Sequence, residues 1–215
     1  MPRAKTVPAK ATPIVYIVDD DISVREALEA LIVEAGWRAR VFASAEAFLA
    51  HARALVPGCL VLDVGLPDLN GLDLQKQIAA GDELPIIFIT GRGDIPMTVE
   101  AMKAGAVEFL TKPFVTETLL CAIRGALERS SNTLADGANL RTLRSRHAAL
   151  SRREQEVMAL VVLGRLNKQV ALALRISEVT VKGHRGRMMR KMCARSVPEL
   201  VNMADQLGLQ TAGKK

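Results

Sequence analysis

Five polar side chains in the first half of the chain have the types needed for phosphoryl chemistry. Asp19, Asp20 and Asp63 follow apolar runs, and further runs end at Thr90 or close to Lys112. Clustered carboxylates repel one another unless a cation lies among them, and oxygen ligands with room for water suit Mg²⁺. A lysine can neutralise an added phosphoryl group, and a threonine hydroxyl can donate a hydrogen bond to one of its oxygens. These residues predict a magnesium-dependent phosphoryl site.

The elements that must position these side chains alternate between strand and helix. Helical spacing of apolar residues predicts five helices, with Asp21, Ser44 and Asp94 as N-caps. Short apolar runs predict five strands over residues 14–18, 38–42, 59–62, 86–90 and 107–110. Such alternation predicts an α/β fold with a doubly wound parallel sheet, whose ligands bind beyond the carboxyl ends of the strands. N-capping explains one acid in each loop, but it does not explain the convergence of Asp, Asp, Thr and Lys.

The second half of the chain has the spacing of a helix-turn-helix. Ser151 and Glu154 predict a capping box at the start of a first helix. Residues 167–174 predict a short helix, and a tight turn leads into a longer basic helix over residues 178–193. In a helix-turn-helix the second of these helices enters the major groove of DNA. The sheet domain is therefore predicted to be followed by a small all-α domain.

Helical geometry divides the long basic helix into two faces. At about 100° per residue, Val181, Met188 and Met192 form one stripe, which predicts packing against the domain core. Arg185 lies on the flank, where a contact to a phosphate is expected. His184 is expected to pack or to contact a phosphate and not to bind a metal. The side predicted to face the groove carries Lys182, Gly183, Gly186, Arg187 and Arg190.

Composition and charge exclude several protein classes. Apolar residues make up 49% of the 215 residues, which excludes a disordered chain, and no apolar run is long enough to span a membrane. Residues 1–13 lack the apolar stretch of a signal peptide, and three widely spaced cysteines indicate free thiols, so a cytoplasmic location is expected. Residues 14–125 carry 9 basic and 16 acidic side chains, whereas residues 126–215 carry 17 basic and 7 acidic ones. The basic half suits a polyanionic partner.

The first half resembles a response-regulator receiver domain. The resemblance rests on the segments VDDDISVREAL, LVLDVGLPDLNGLDL and IIFITGRGDIPMTVEAMKAGAVEFLTKPF, of which the last is especially similar to the FixJ subgroup. It implies a flavodoxin-like fold in which Asp63 is the phosphoacceptor for a sensor histidine kinase. It also implies a Mg²⁺ ion held by Asp19, Asp20, Asp63 and the backbone carbonyl of Gly65.

The same resemblance implies roles for residues near the last strands. Lys112 would pair with the phosphoryl group, and its bond to the following proline is expected to be cis. Thr90 and Phe109 fall at the switch positions that report phosphorylation to the surface near the fourth and fifth strands. Gly65 and Arg92 stand where relatives more often carry a larger or an imidazole side chain. At Gly65 this difference is expected to alter kinase docking or the lifetime of the phosphoryl group.

The second half resembles the LuxR-type DNA-binding domain of the NarL–FixJ regulators. The resemblance lies in the segments LSRREQEVMALV, NKQVALAL, ISEVTVKGH and RKM. Gly183 and Gly186 depart from the family pattern, because relatives carry side chains there that reach base edges. Base readout is therefore expected to shift to Lys182, Arg187 and the shape of the DNA. Helical geometry and the resemblance together predict DNA contacts from six cations, namely Lys168, Lys182, Arg185, Arg187, Arg190 and Lys191.

Together, the two halves predict a two-component transcriptional response regulator without enzymatic activity. The predicted domains are a basic N-terminal tail (1–13), a receiver (14–127), a linker (128–147) and a LuxR-type helix-turn-helix domain (148–210). Phosphorylation of Asp63 is expected to promote a homodimer that binds double-stranded promoter DNA. The expected result is regulation of transcription, by resemblance its activation, with RNA polymerase as a further partner and no membrane partner.

Two alternatives stay open at this point. A magnesium-dependent phosphohydrolase would also use an aspartyl phosphate on an α/β sheet, but it needs a DxD pair at the first strand and a cap insertion. A DNA-binding protein with a degenerate receiver would act without phosphorylation, which the intact Asp63, Thr90 and Lys112 argue against.

Overall fold

The computed structural model describes residues 12–79, 84–91 and 95–209. The chain divides into two compact units, of which the first ends at Ala135 and the second begins at Asp136. The first unit contains a β-sheet with helices, whereas the described elements of the second unit are helices. No helix within the described ranges is long and apolar enough to cross a membrane.

Within the described ranges, five parallel strands form the sheet of the first unit, in the order β2-β1-β3-β4-β5. The strands are β1 (Ile14–Val18), β2 (Arg38–Phe42), β3 (Gly58–Asp63), β4 (Ile86–Thr90) and β5 (Glu108–Thr111). This order is that of flavodoxin-like doubly wound folds, and it confirms the predicted fold class. Three strands have the predicted bounds, whereas β3 is longer by one residue at each end and β5 lies one residue further along.

Five helices begin among the described residues of the first unit, and the caps of the first two were predicted. They are α1 (Ile22–Glu34), α2 (Ala45–Leu49), α3 (Gly71–Ala79), α4 (Ile95–Lys103) and α5 (Thr116–Ala148). Asp21 and Ser44 cap α1 and α2, because their side chains accept hydrogen bonds from backbone amides of the first turn. The predicted N-cap Asp94 and the position Arg92 lie outside the described residues.

The central strands β1, β3 and β4 are buried along their whole length. Successive residues of a strand point to opposite faces of the sheet, so each strand contributes to both. In β1, Ile14, Tyr16 and Val18 belong to one hydrophobic cluster, and Val15 and Ile17 belong to the other. The continuous apolar runs are therefore typical of parallel strands that are covered on both faces.

Helix α5 is 33 residues long and contains the whole of the predicted linker. Ser130 is buried in the first unit, where its Oγ accepts a hydrogen bond of 3.0 Å from the backbone amide of Gly58. Leu143 belongs to the hydrophobic core of the second unit. Residues 128–147 are therefore helical, and the exact domain bounds stay a prediction.

Four helices follow in the second unit as far as residue 209, where the description of the chain ends: α6 (Arg152–Val162), α7 (Asn167–Leu174), α8 (Glu178–Met192) and α9 (Val197–Gln206). Ser151 and Glu154 form the predicted capping box at the start of α6. Helix α7 has its predicted bounds, and α8 ends one residue early because Cys193 takes a left-handed conformation with a φ of 59°. No prediction covered α9, although Ser196 caps it and Pro198 lies in its first turn.

Candidate functional site

Three carboxylates meet at the carboxyl ends of β1 and β3. Asp19 follows β1 directly and is fully buried, Asp63 ends β3 and is 8% exposed, and Asp20 is exposed. One ligand oxygen from each carboxylate lies within 4.8 Å of the ligand oxygens of the other two. The structure thus brings together the three side chains that were predicted to bind a metal, at a spacing that suits one hard cation.

Lys112 adds a positive charge to this carboxylate cluster. Its Nζ lies 2.6 Å from Asp19 Oδ2 and 3.5 Å from Asp63 Oδ2. Its backbone amide donates a hydrogen bond of 2.7 Å to the carbonyl of Thr90, and its bond to Pro113 is cis, as predicted. The ammonium group pairs with Asp19 and Asp63 only, so it offsets part of the negative charge of the three carboxylates, and a bound divalent cation would offset more. This donor set fits Mg²⁺, which prefers oxygen ligands.

Burial and charge act in opposite directions on Asp19 and Lys112. Burial raises the pKa of the Asp19 carboxyl above its ordinary value, against hydrogen bonds from Lys112 and from the amide of Asp21. For Lys112, burial acts to lower the pKa, but the hydrogen bond and the charge of Asp19 outweigh it, so the pKa is raised. Lys112 is therefore protonated at neutral pH and able to pair with a phosphoryl group.

Hydrogen bonds orient the carboxylates and their backbone. The amide of Asp21 donates to Asp19 Oδ1 at 2.9 Å, and the amide of Gly65 donates to Asp63 Oδ1 at 3.4 Å. Arg25 Nη1 donates to the backbone carbonyl of Asp19 at 2.6 Å, a contact that the sequence analysis did not predict. No heavy atom outside the local chain lies within 4 Å of a Cβ placed at Gly65. One side of the cluster is therefore open at this glycine.

The two predicted switch residues lie on the strands beside β3. Thr90 ends β4 and is 4% exposed. Asp63 pairs with Ile89 in the register of β3 and β4, so Thr90 lies at the same edge of the sheet as Asp63. Phe109 of β5 is half-buried, and its ring centroid lies 6.1 Å from that of Phe88. Phe109 is therefore neither fully buried nor fully exposed in this structure.

The basic helix α8 has the two predicted faces. Val181, Met188 and Met192 are fully buried in the core of the second unit, which confirms the predicted stripe. The opposite side is exposed at every position predicted to face the groove, namely Lys182, Gly183, Gly186, Arg187 and Arg190. A helix with one packed side and one cationic exposed side suits insertion into the major groove.

Comparisons with known proteins identify both units. Residues 15–124 match the family described as "Response regulator receiver domain", and residues 148–204 match "Bacterial regulatory proteins, luxR family". Response regulator protein TmoT of Ectopseudomonas mendocina is 49% identical over 195 residues, which cover 90% of this chain and 89% of TmoT. Transcriptional regulatory protein FixJ of Rhizobium meliloti is 44% identical over 193 residues, which cover 88% of this chain and 94% of FixJ. The chain belongs to the response-regulator family.

A solved structure of the response regulator StyR supports the same assignment. It is 46% identical, its TM-score is 0.82, and the match covers 91% of this chain and all of StyR (100%). The protein is thus a two-component response regulator with a receiver and a LuxR-type DNA-binding domain, and its relatives are transcriptional regulators. Since the family is not one of enzymes, the phosphohydrolase alternative is wrong.

In the LuxR-type unit of this response regulator, the buried Glu154 binds several groups. It accepts a hydrogen bond of 2.8 Å from the amide of Ser151, lies 2.6 Å from Lys191 Nζ, and lies 3.4 Å from Arg187 Nε. The hydrogen bond from Lys191 is the main cause that lowers the pKa of Glu154 to about 2. The capping box follows from residue spacing and was predicted, whereas the partners on α8 reach Glu154 only through helix packing and were not predicted.

The six cations predicted to contact DNA fall into two groups. Lys191 and Arg187 lie against Glu154, and Arg185 Nη1 donates a hydrogen bond of 2.8 Å to Asn167 Oδ1. Over the described part of the second unit, the other three make no ion pair and are exposed: Lys168, Lys182 and Arg190. The response regulator therefore holds half of its predicted DNA-binding cations in place through contacts within its own fold.

Proposed function

We propose that this response regulator accepts a phosphoryl group on Asp63 from a sensor histidine kinase. A carboxylate oxygen of Asp63 would form the new P–O bond while the P–N bond to the kinase histidine breaks. The observation that carries this proposal is the position of Asp63 at the end of β3, with Lys112 Nζ 3.5 Å from its Oδ2. The ammonium group would neutralise part of the charge of the added phosphoryl group, and the hydroxyl of Thr90 would donate to one of its oxygens.

The carboxylate cluster supports Mg²⁺ as the cofactor of this reaction. Asp19, Asp20 and Asp63 would be its side-chain ligands, and the backbone carbonyl of Gly65 would complete the protein's share of the ligands. The bound ion would supply positive charge beside the phosphoryl oxygens. The hydrogen bonds from Arg25 and from the amide of Asp21 would keep Asp19 in place whether or not phosphate is present.

Phosphorylation would promote a homodimer through the surface formed by α4, β5 and the start of α5. The hydroxyl of Thr90 would turn toward the phosphoryl group, and Phe109 would move inward into the space that it leaves. The support for an interface is the apolar stripe of Ile95, Val99 and Met102 on α4, whose three side chains are exposed at helical spacing. Burying this stripe between two copies would stabilise the dimer.

The dimer would place two LuxR-type units on half-sites of double-stranded promoter DNA. The exposed side of α8 supports this proposal, together with the net positive charge of the second half of the chain. The proposed contacts come from Lys168, Lys182, Arg185, Arg187, Arg190 and Lys191. The proposed outcome is activation of transcription through RNA polymerase, in the cytoplasm, where the promoter DNA is.

Replacement of Asp63 by Asn tests the proposed phosphoacceptor. The amide is nearly isosteric but not nucleophilic, so Asp63→Asn is expected to abolish labelling by radioactive acetyl phosphate in the presence of Mg²⁺. The matched control is Asp68→Asn, because Asp68 is an exposed carboxylate in the loop after the same strand and its labelling is expected to match the wild type. Undiminished labelling of Asp63→Asn would contradict the proposal.

A further inference from the structure

Helix α8 exposes an apolar side chain in the middle of its cationic side. Val179 is the second residue of α8 and is 78% exposed, whereas Val181, Met188 and Met192 are fully buried and Met189 is partly buried against the same core. At about 100° per residue, Gly183, Gly186 and Arg190 lie within about 40° of Val179 around the helix. Val179 is therefore on the side that the DNA-binding cations occupy, and not on the side that packs against the core.

The first turn of α8 holds Val179 in a defined place. Ser177 caps the helix, since its Oγ accepts a hydrogen bond of 3.1 Å from the amide of Thr180. The two hydroxyl groups of Ser177 and Thr180 are also 2.8 Å apart. Val179 lies between these residues, so its backbone is fixed by the cap and its branched side chain has few rotamers.

The two glycines leave a strip without side chains beside Val179. A Cβ at Gly186 would meet nothing within 4 Å, and a Cβ at Gly183 would meet only Arg187 Nη1, at 3.7 Å. Longer side chains at these positions would hold the helix away from a surface that approaches it. Without them, a short side chain such as that of Val179 can reach the floor of a groove.

The surroundings of Val179 indicate what that surface is. Lys182, Arg187 and Arg190 are exposed on the same side of α8, so the partner of this side is polyanionic. In the major groove of DNA the apolar group on a base edge is the C5 methyl of thymine, and apolar side chains read it by contact. Recognition helices present their N-terminal residues to base edges, and Val179 is such a residue.

We infer that Val179 reads a thymine methyl group in the major groove and so supplies sequence preference that Gly183 and Gly186 cannot. This inference rests on the proposed insertion of α8 into the major groove. It adds an apolar contact to the readout expected from Lys182 and Arg187, and it makes Val179 a residue that determines specificity.

The test uses the full chain, phosphorylated with acetyl phosphate, and DNA that differs by single methyl groups. The wild type first selects its preferred duplex from a randomised pool. This duplex is then synthesised in versions in which one thymine at a time is replaced by deoxyuridine, which lacks only the C5 methyl. Removal of the methyl that Val179 reads is expected to weaken wild-type binding about fourfold in each half-site, the effect of one buried methyl-sized group. Val179→Ala is expected to bind both duplexes equally.

The control variant is Leu163→Ala, which shortens an exposed apolar side chain at the C-cap of α6 and leaves the sequence of α8 unchanged. It is expected to keep the fourfold preference for thymine. The inference would be overturned if Val179→Ala and the wild type lost the same DNA-binding affinity at every replaced thymine. It would also be overturned if the wild type lost no affinity at any of them. Either result would leave the proposed function intact. A pool that yields no enriched sequence would overturn both.

Discussion

Glu154 is a single buried carboxylate that connects the start of α6 with the far half of α8. Its oxygens accept from the amide of Ser151 and from Lys191 Nζ, and Lys191 also donates to the backbone carbonyl of Ala149 at 3.1 Å. An acid that accepts two or more hydrogen bonds in its charged form resists protonation, which explains its low pKa. The same contacts fix the end of α8 that carries Arg187 and Arg190.

Glu154→Gln is expected to destabilise the second unit by about 1–3 kcal/mol at pH 7, because it removes charge-assisted hydrogen bonds. The pKa of Glu154 lies at about 2, below the ordinary 4.5. Its contribution is therefore present above pH 4.5 and is lost as the pH falls toward 2. Urea denaturation followed by circular dichroism should show the difference between variant and wild type shrinking over this window.

The matched control for this measurement is Glu156→Gln. Glu156 is also on α6, but it pairs with Arg152 and Arg153 at the surface, where an ion pair contributes less than about 1 kcal/mol. A loss for Glu154→Gln that stays constant from pH 7 to pH 3 would show that the charge of Glu154 does not carry the effect.

We expect Gly65 to affect how freely solvent reaches the proposed phosphoryl group. The space beside it is open, and its amide already donates to Asp63 Oδ1. Gly65→Met is expected to lengthen the lifetime of the phosphoryl group about fivefold, since the side chain would obstruct water; this corresponds to roughly 1 kcal/mol in the barrier. Decay of label after removal of acetyl phosphate measures it, with Gly65→Ala as the smaller variant. Decay that is equally fast in all three proteins would contradict this role of the glycine.

At the scale of elements, all five strands were predicted to within one residue at each end. Burial does not decide which bounds agree: the partly exposed β2 and the buried β1 and β4 have their predicted bounds, whereas the fully buried β3 is one residue longer at each end. The bounds of β5 differ by one residue: Val107 precedes the strand, although its amide donates to the carbonyl of Ile86 at 2.7 Å. Such ends are decided by hydrogen bonds to a neighbouring strand, which periodicity alone does not contain.

The site was predictable to the extent that it lies at strand ends. Asp19, Asp63 and Lys112 come together because parallel strands place their carboxyl ends at one edge. The contacts of Arg25 with the carbonyl of Asp19 and of Glu154 with Lys191 were not predicted. Each of these two contacts joins residues of separate segments and depends on the rotamers of long side chains. The spacing of residues in the sequence does not indicate such rotamers.

The junction between β3 and α3 requires glycine at position 71. A Cβ there would lie 2.8 Å from the backbone oxygen of Asp63 and 3.0 Å from Cα of Val64, and backbone atoms cannot move aside cheaply. Gly71→Ala is therefore expected to destabilise the first unit by more than about 1 kcal/mol, against the helix propensity that favours alanine. It should also reduce labelling of Asp63 by acetyl phosphate, because the strand end would shift.

Gly125→Ala is the matched control for this prediction. Gly125 lies within α5, is exposed, and has nothing within 4 Å of an added Cβ. Because an added Cβ meets no neighbour here, only the higher helix propensity of alanine affects stability. Gly125→Ala is therefore expected to be more stable than the wild type by up to about 1 kcal/mol. Equal stability changes for the two alanine variants in urea denaturation would show that the close approach at Gly71 does not matter.

At the scale of the whole molecule, the two units differ in charge and in chemistry. The half with the carboxylate cluster is acidic, and the half with α8 is basic. A phosphoryl group on Asp63 can change DNA binding only if it stabilises one of two states of the chain more than the other. Moving a population from 1:99 to 99:1 takes about 5.5 kcal/mol, so several contacts must change together. In the proposed function, these are the contacts of Thr90, of Phe109 and of the apolar stripe on α4.

Thr90→Ala separates the phosphorylation reaction from the response. The variant keeps the three carboxylates and Lys112, so it is expected to accept phosphate on Asp63, but it lacks the hydroxyl that would turn toward the new oxygens. The side chain at position 90 then no longer responds to the phosphoryl group, so the place of Phe109 and the surroundings of the stripe on α4 no longer depend on phosphorylation. Sedimentation at equal phosphate occupancy is expected to show a dimerisation constant at least about tenfold weaker than that of the wild type, the equivalent of about 1.4 kcal/mol.

Thr111→Ala is the matched control, because Thr111 pairs with Thr90 in the strand register and is exposed. Equal dimerisation of Thr90→Ala and the wild type would remove Thr90 from the switch, and the coupling would then have to act through release of the DNA-binding unit without a dimer.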